Sequence, residues 1–116
     1  MTNVWIGTDL HLWNDRNDQH HIYRSDANLR QLMDQYNKDI QAGDLFIYLG
    51  DLYDPGAVDD KRLAQVRTFI SSIPAHKVMC KGNRDTQDDS YYLDLGFDEV
   101  CDIAIIHSIV LSHKPV

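Results

Sequence analysis

"LFIYLGDLYD", residues 45–54, contains the segment that decides the fold class. Its first five residues, Leu45 to Leu49, form a continuous apolar run that is typical of a strand buried on both faces of a sheet. The run ends at Gly50-Asp51, where a turn residue is followed by a carboxylate. A strand of this kind needs cover above and below, so the segment predicts a sheet that is covered by helices.

Segments of strand type alternate with segments of helical periodicity on both sides of this run. "NVWIGT" (3–8) and "HKVMC" (76–80) are short, mainly apolar and typical of strands. Between the three strands, apolar residues recur at helical spacing over 29–40 and 63–70. This order predicts an α/β protein with a mostly parallel sheet and flanking helices.

The last part of the chain is predicted to add a short helix over 89–95 and two further strands. These strands are "EVCDIAII" (99–106) and "IVLS" (109–112), and they flank a tight turn at His107-Ser108. We expect them to form an antiparallel excursion from the parallel sheet. With 116 residues and 43% apolar residues, we expect one domain, residues 1–116, with a core of its own.

The charge and the cysteines limit the partners and the compartment. The formal net charge of -7 argues against a passive binder of nucleic acid or of an anionic membrane, since polyanions are held chiefly by Lys and Arg. A phosphate substrate stays compatible with this charge, because bound divalent metals would reverse its local sign. Cys80 and Cys101 are isolated thiols that we expect in buried strands and in a reducing compartment. The sequence shows no secretion signal and no apolar run of membrane-spanning length, so we expect a cytoplasmic protein.

Polar side chains fall just beyond the ends of four predicted strands. Asp9, Asp51, Asn83 and His113 lie one to three residues past these ends, and His11 follows Asp9 by two residues. Ligands of open α/β sheets bind outside the carboxyl ends of the strands. Oxygen and nitrogen donors without sulfur are typical of Mn, Fe, Zn or Co sites rather than of a structural zinc site. The spacing alone leaves open that Asp51 is a turn residue and His113 a solvated histidine.

Four short motifs resemble those of the calcineurin-like metallophosphoesterases. "TDLHLW" (8–13) resembles the D-x-H motif, "LGDLYD" (49–54) the GD motif and "KGNRD" (81–85) the GN-H-[DE] motif, while "VLSHKP" (110–115) resembles the next histidine motif. They occur in the family's order across nearly the whole chain. The resemblance implies the calcineurin-like phosphoesterase fold and a hydrolase of phosphate ester or pyrophosphate bonds in a phosphorylated small molecule or nucleotide.

The resemblance also implies a ligand set for two divalent metal ions, with Mn, Fe, Zn or Co as candidates. Carried over residue by residue, Asp9 and His11 would bind the first metal. Asp51 would bridge both metals, and Asn83 and His113 would bind the second. Two metals about 3.5–4 Å apart can hold a phosphoryl group between them and acidify a water molecule.

The third motif departs from the family at one position. Members usually carry His after Gly-Asn, paired with the following acid and acting on the leaving-group oxygen, whereas this chain has Arg84 followed by Asp85. We assign both residues to catalysis. Arginine binds phosphate oxygens but is a poor proton donor, because it stays protonated at physiological pH. An ion pair of Arg84 with Asp85 or Asp88 is the structural alternative.

The "GNRD" stretch also resembles the bacterial UDP-diacylglucosamine pyrophosphohydrolases. The "DLHL" opening (9–12) matches that group too, but "LSHKPV" (111–116) is more similar to general small phosphoesterases. The substrate of the pyrophosphohydrolases is therefore not assigned to this chain.

A second departure concerns the C-terminal side of the resemblance. Family members normally carry a G-H-x-H segment that supplies one more ligand to each metal, and this sequence contains no Gly-His pair. We therefore expect residues 1–116 to form the N-terminal part of the family's two-sheet sandwich, as a fragment or as a naturally short protein. The exposed sheet edge around 103–111 would then favour a homo-oligomer. The alternative function is a noncatalytic metal-binding or protein-interaction module on the same fold, as in the retromer subunit that resembles this family.

Overall fold

The computed structural model of the protein describes residues 3–8, 10, 12–13, 26–53, 56, 58–83, 85–106 and 109–112. The helices and strands in these ranges follow one another in the order β1 (Val4–Gly7), α1 (Asp26–Asp39), β2 (Leu45–Tyr48), α2 (Asp60–Ser72), β3 (His76–Cys80), α3 (Asp89–Leu95), β4 (Glu99–Cys101), β5 (Ala104–Ile106) and β6 (Ile109–Leu111). The longest of these helices, α1, has 14 residues. None of the helices in the described ranges combines the length and the apolar character of a membrane span.

Strands β1 to β4 form a parallel sheet in the spatial order β1-β2-β3-β4. The apolar run that begins at Leu45 is β2, and it lies between β1 and β3 as its composition predicts. Ile47 in its middle pairs with Ile6 on one side and with Val78 on the other. The predicted α/β class, with a mostly parallel sheet and flanking helices, is confirmed.

The C-terminal strands differ from the sequence-based expectation of one strand over 99–106. Glu99–Cys101 is a separate strand that pairs parallel with β3, and the Lys81 N–H donates to the Cys101 carbonyl at 2.9 Å. Asp102 and Ile103 then lead the chain out of this sheet, and β5 pairs antiparallel with β6. The expectation of a single strand is wrong because β4 pairs with the backbone N–H and C=O groups of β3. A local apolar pattern does not show which strand a segment pairs with. The turn predicted at 107–108 lies outside the described residues.

The two faces of the parallel sheet are covered differently. On one face, Phe46 and Met79 pack with buried residues of all three helices, such as Phe69 of α2 and Leu95 of α3. On the opposite face, Ile47, Val78 and Cys80 form a smaller apolar cluster. The residues of the β5–β6 pair packed against that cluster are Ala104, Ile106 and Leu111. The helices therefore cover one face, and the β5–β6 pair covers only part of the other, on which Ile6 of β1 is 54% exposed.

A buried carboxylate fixes the amino edge of the sheet. Asp44, directly before β2, is 4% exposed. It accepts hydrogen bonds from the Gln41 N–H and the Trp5 Nε1–H, both at 2.9 Å, and from the Asn3 N–H at 3.1 Å. These bonds, with the one from Gln41 first, lower the pKa of the Asp44 carboxyl, because they stabilise its charged form. Asp44 thus ties β1 to the loop that enters β2.

The two cysteines lie side by side in the sheet. Cys80 of β3 pairs in register with Cys101 of β4, and their sulfur atoms are 3.4 Å apart as free thiols. Cys80 is buried, as predicted, and Cys101 is half-buried. Burial, followed by the contact with Cys101, raises the pKa of Cys80 to about 12. Cys80 is therefore a packing residue that stays protonated at neutral pH.

Candidate functional site

The structure describes three of the seven residues that the sequence places in the site. These are Asp51, which follows β2, and Asn83 and Asp85, which follow β3. The predicted site residues that lie outside the described residues are Asp9, His11, Arg84 and His113. Among the described residues, no group of three or more His, Cys, Asp or Glu side chains is arranged to hold a metal ion. The geometry of the site is therefore built from the two loops that follow the central strands.

Asp51 lies in a turn whose backbone is held in an uncommon conformation. Its φ angle is 58°, and that of the preceding Gly50 is 96°. A residue with a side chain in this left-handed region costs about 1–3 kcal/mol, so the turn persists only where surrounding contacts determine it. Asp51 is also 6% exposed, which is uncommon for an aspartate without a structural or functional partner.

The contacts that determine this turn come from Asp85. One oxygen of its carboxylate, Oδ2, accepts from the Asp51 N–H and from the Gly82 N–H, both at 2.6 Å. The other oxygen, Oδ1, accepts from the Leu52 N–H at 3.1 Å. We call these three hydrogen bonds the Asp85 clamp. Because Asp51 and Leu52 follow β2 while Gly82 follows β3, the clamp joins the two loops through one side chain.

The backbones of the two loops are also in direct contact. A Cβ atom added at Gly50 would lie 2.6 Å from the nitrogen and 2.7 Å from the Cα atom of Gly82, and 3.0 Å from the carbonyl oxygen of Cys80. Real Cβ atoms do not approach other atoms this closely, so the contact requires glycine at position 50. Asp51 and Asn83 each follow one of these touching glycines. The fold therefore brings two of the predicted metal ligands together.

The segment after β1 runs alongside the segment after β2. The Leu10 N–H donates to the Tyr48 hydroxyl at 2.7 Å, and that hydroxyl donates to the Asp51 carbonyl at 3.3 Å. The Leu12 N–H donates to the Leu52 carbonyl at 2.9 Å. Leu10, which lies between the predicted ligand positions 9 and 11, and Leu12, which follows position 11, are thus attached to the Asp51 turn.

Tyr48 is a site residue that the sequence analysis missed. It stands in the apolar run of β2, where it counts as one more core side chain, and it is 1% exposed. A buried tyrosine hydroxyl usually has a hydrogen-bond partner, and this is the signal that could have identified it. Its position at the last residue of β2 places the hydroxyl where the segments after β1 and β2 meet.

Two of the three described site residues, Asp51 and Asp85, are carboxylic acids. Burial has the largest effect on Asp85 and raises the pKa of its carboxyl. The hydrogen bonds from the three N–H donors lower this pKa, and the nearby charge of Asp51 raises it further. Both Asp85 oxygens accept from the backbone, so Asp51 and Asn83 are the candidate ligands among these three residues. A carboxylate oxygen and an amide oxygen are hard donors that fit a divalent ion such as manganese.

The predicted catalytic role of Asp85 stays a prediction. Its carboxylate is 3% exposed and is held by the three N–H groups of the clamp. An acid that exchanges protons with a substrate has to come within hydrogen-bond reach of it. The described contacts of Asp85 are to the backbone of the two loops.

Comparisons with known proteins identify the fold and the family. The fold is similar to the crystal structure of a protein of unknown function from Aquifex aeolicus, with a TM-score of 0.69 and 21% sequence identity. The similarity covers 99% of this chain and 62% of that chain, so the present chain spans less than two thirds of that protein. A search of curated proteins found no significant match.

The family comparison covers nearly the whole sequence. Residues 2–113 match the family described as calcineurin-like phosphoesterase, and this range includes all seven predicted site residues. Proteins of this family have a phosphoesterase-type function in general and generally use divalent metals. The chain belongs to the calcineurin-like phosphoesterase family.

Proposed function

We propose that the protein is a metal-dependent phosphoesterase that hydrolyses phosphate ester or pyrophosphate bonds through a dinuclear metal site. The observation that carries the proposal is the Asp85 clamp, which holds the turn with Asp51 against the loop with Asn83. These are two of the ligand positions that the family resemblance implies. The family membership supports the class of reaction.

In this proposal the five predicted ligands would divide between two ions. Asp9 and His11 would hold the first ion, Asn83 and His113 would hold the second, and Asp51 would contribute to both. A carboxylate suits the shared position because its two oxygens can reach two ions, and the amide of Asn83 adds an oxygen without further negative charge. When bound, the ions would supply positive charge to the phosphoryl oxygens and would acidify a water molecule.

Arg84 is proposed to hold phosphate oxygens of the substrate with its guanidinium group. In the hydrolysis, a water oxygen forms a bond to phosphorus while the bond from phosphorus to the leaving oxygen breaks. The leaving oxygen keeps the electron pair, and the water proton passes to it or to the solvent. Since arginine does not give up a proton at neutral pH, leaving groups that are stable as anions suit this site.

The proposed substrate is a phosphorylated small molecule or a nucleotide. The net charge of -7 argues against a nucleic acid, and a small phosphorylated substrate stays compatible with it if divalent metals are bound. The two free thiols support a cytoplasmic location, where thiols stay reduced.

The test is hydrolysis of an aryl phosphate in the presence of manganese. We expect manganese-dependent turnover by the wild-type chain and a loss of about 10²-fold or more in Asp51→Ala, because that variant lacks the shared ligand. Asp94→Ala is the matched control, since Asp94 is exposed near the end of α3 and the change is chemically the same. The control should keep wild-type turnover.

Two outcomes would contradict the proposal. Equal turnover in Asp51→Ala and the wild type would show that Asp51 is not a ligand of the catalytic metals. Manganese binding without any hydrolysis of aryl phosphate or pyrophosphate would support the noncatalytic metal-binding module instead.

A further inference from the structure

We propose that Asp85 is a positioning residue that sets the backbone of the Asp51 turn and thereby the metal affinity of Asp51. The inference rests on the proposed function, because it takes Asp51 as a metal ligand. It assigns to Asp85 a role that acts through another residue, without contact to the substrate.

The first step is the backbone of the turn. Asp51 has a φ angle of 58°, and its N–H and the next one along the chain, that of Leu52, both donate to the Asp85 carboxylate. Two successive N–H groups that point to one acceptor fix the orientation of the peptide between them. The direction of the Asp51 side chain depends on this peptide, so a ligand with the required direction needs the acceptor at Asp85.

The second step is the coupling between the loops. The Asp85 oxygen that accepts from Asp51 also accepts from Gly82, which directly precedes Asn83. The Asp85 N–H also donates to the Gly82 carbonyl at 3.3 Å, so Asp85 is held in a turn with Gly82. One carboxylate therefore fixes the backbone at two candidate ligands that come from different strands.

The third step is the chemistry of the acceptor. A carboxylate accepts on both oxygens, whereas an asparagine of nearly the same size accepts on one and donates from the other side. In Asp85→Asn, the side-chain NH₂ group would replace one of the two accepting oxygens, so at least one backbone N–H of the clamp would face a donor. The substitution preserves the volume of the buried side chain and removes the ability to accept all three hydrogen bonds.

The chain offers a matched control at the opposite edge of the sheet. Asp44 is a second buried aspartate that accepts three hydrogen bonds from N–H donors, and it is 4% exposed where Asp85 is 3% exposed. Asp44→Asn makes the same chemical change at a residue with a similar exposed fraction and the same number of N–H donors, but at the amino ends of the strands. A general loss of stability should therefore affect both variants, and a loss of positioning should affect only Asp85→Asn.

The experiment is a calorimetric manganese titration of the wild-type chain, Asp85→Asn, Asp44→Asn and Asp51→Ala, with urea unfolding of each. We expect Asp85→Asn to weaken manganese binding by about 10–100-fold, the range typical of residues that orient metal ligands. Asp44→Asn should retain the wild-type affinity, although its stability also falls. With enough manganese to fill the site, the kcat of Asp85→Asn should return towards the wild-type value.

The outcomes separate this inference from the proposed function. If the wild-type chain binds manganese no better than Asp51→Ala, the proposed function fails. If the wild-type chain binds manganese and Asp85→Asn binds it equally well, or if Asp44→Asn loses as much affinity, the positioning role is overturned and the function stands. If the kcat of Asp85→Asn stays low at saturating manganese, Asp85 takes a direct part in catalysis, and the positioning role is likewise overturned.

A measurement on the wild-type chain keeps the inference testable if Asp85→Asn does not fold. The amide hydrogens of Asp51, Leu52 and Gly82 should exchange with solvent slowly, because the clamp holds all three. Exchange of these amides at the rate of an unstructured peptide would show that the clamp is absent and would overturn the positioning role.

Discussion

Gly50 and Gly82 touch through their backbones at the carboxyl ends of the two central strands. The contact leaves no room for a Cβ atom, which at Gly50 would stand 2.6 Å from the Gly82 nitrogen. Gly43, in the loop before β2, has a similar φ angle of 91°, but a Cβ atom there would have no neighbour within 4 Å. A comparison of Gly43 with Gly50 therefore separates two effects on stability, that of the backbone conformation and that of the close contact.

Gly50→Ala should destabilise the protein more than Gly43→Ala. Both variants place a side chain in the left-handed region, at a cost of about 1–2 kcal/mol in the free energy of unfolding. Gly50→Ala also forces the two loops apart, which should add about 1–3 kcal/mol as overpacking does elsewhere. Urea unfolding at neutral pH measures the difference, and equal losses in the two variants would show that the loops separate without cost.

The stability contributed by Asp44 should depend on pH. Its folded-state pKa lies below the unfolded value of about 3.9, so its contribution is present above pH 4 and is lost as the pH falls through the folded pKa. Asp44→Asn should therefore be less stable than the wild type at neutral pH, with a gap that narrows below about pH 4. Urea unfolding at a series of pH values measures the gap. A gap that is constant down to pH 2 would contradict the lowered pKa.

Cys80 should be unreactive in the folded protein. Its pKa of about 12 and its burial leave almost no accessible thiolate at pH 8. Iodoacetamide followed by peptide mass spectrometry should find Cys80 unmodified in the native protein and modified in concentrated urea. Rapid alkylation of Cys80 without denaturant would mean that β3 and β4 separate readily.

The β5–β6 hairpin should support self-association, as we propose for the exposed sheet edge. Ile105 is 70% exposed and its cross-strand partner Val110 is 49% exposed, so the outer face of the β5–β6 pair is apolar. The Ile105→Lys variant should be more monomeric than the wild type in light scattering, because it places a charge on this apolar face. Leu93→Lys is the control, on an exposed apolar residue of α3. A wild-type chain that is monomeric at high concentration would exclude this interface.

Arg84 should set the preference among leaving groups. Without the usual histidine, the site lacks a proton donor worth about 10²–10⁴-fold in rate for a poor leaving group. We therefore expect aryl phosphates and pyrophosphates to be cleaved faster than alkyl monoesters, and Arg84→His to narrow that gap by accelerating the alkyl substrates. Rates that are similar for alkyl and aryl substrates, with a ratio that Arg84→His leaves unchanged, would remove this role from Arg84.

Local pattern was sufficient to predict β3 and α3. The strand at His76–Cys80 and the helix at Asp89–Leu95 have the predicted bounds. In the first case a short apolar run ends at Gly82, and in the second a helix ends before Gly96, which caps it with a φ angle of 121°. Signals of this kind lie within a few residues of the element that they define.

The interior of the candidate site could not be predicted in the same way. Asp85 bonds to Asp51 and Leu52 across 34 and 33 positions of the sequence. These contacts depend on the register between β2 and β3, which places the loops after the two strands next to each other. The positions of Asp51 and Asn83 after two strands were enough to place them at one edge of the sheet, whereas the hydrogen bonds of Asp85 to the Asp51 turn and of the Tyr48 hydroxyl could not be foreseen.

The strand order has a consequence for the way the site is assembled during synthesis. Each strand of the parallel sheet pairs with the strand made just before it, so the sheet can grow in the direction in which the ribosome delivers the chain. The turn after β2 is synthesised first. The N–H groups of Asp51 and Leu52 have no Asp85 carboxylate to bond to until the chain has grown further, since Asp85 follows Asp51 by 34 residues. The Asp51 turn can therefore reach its final form only when β3 has been added and the loop behind it has emerged.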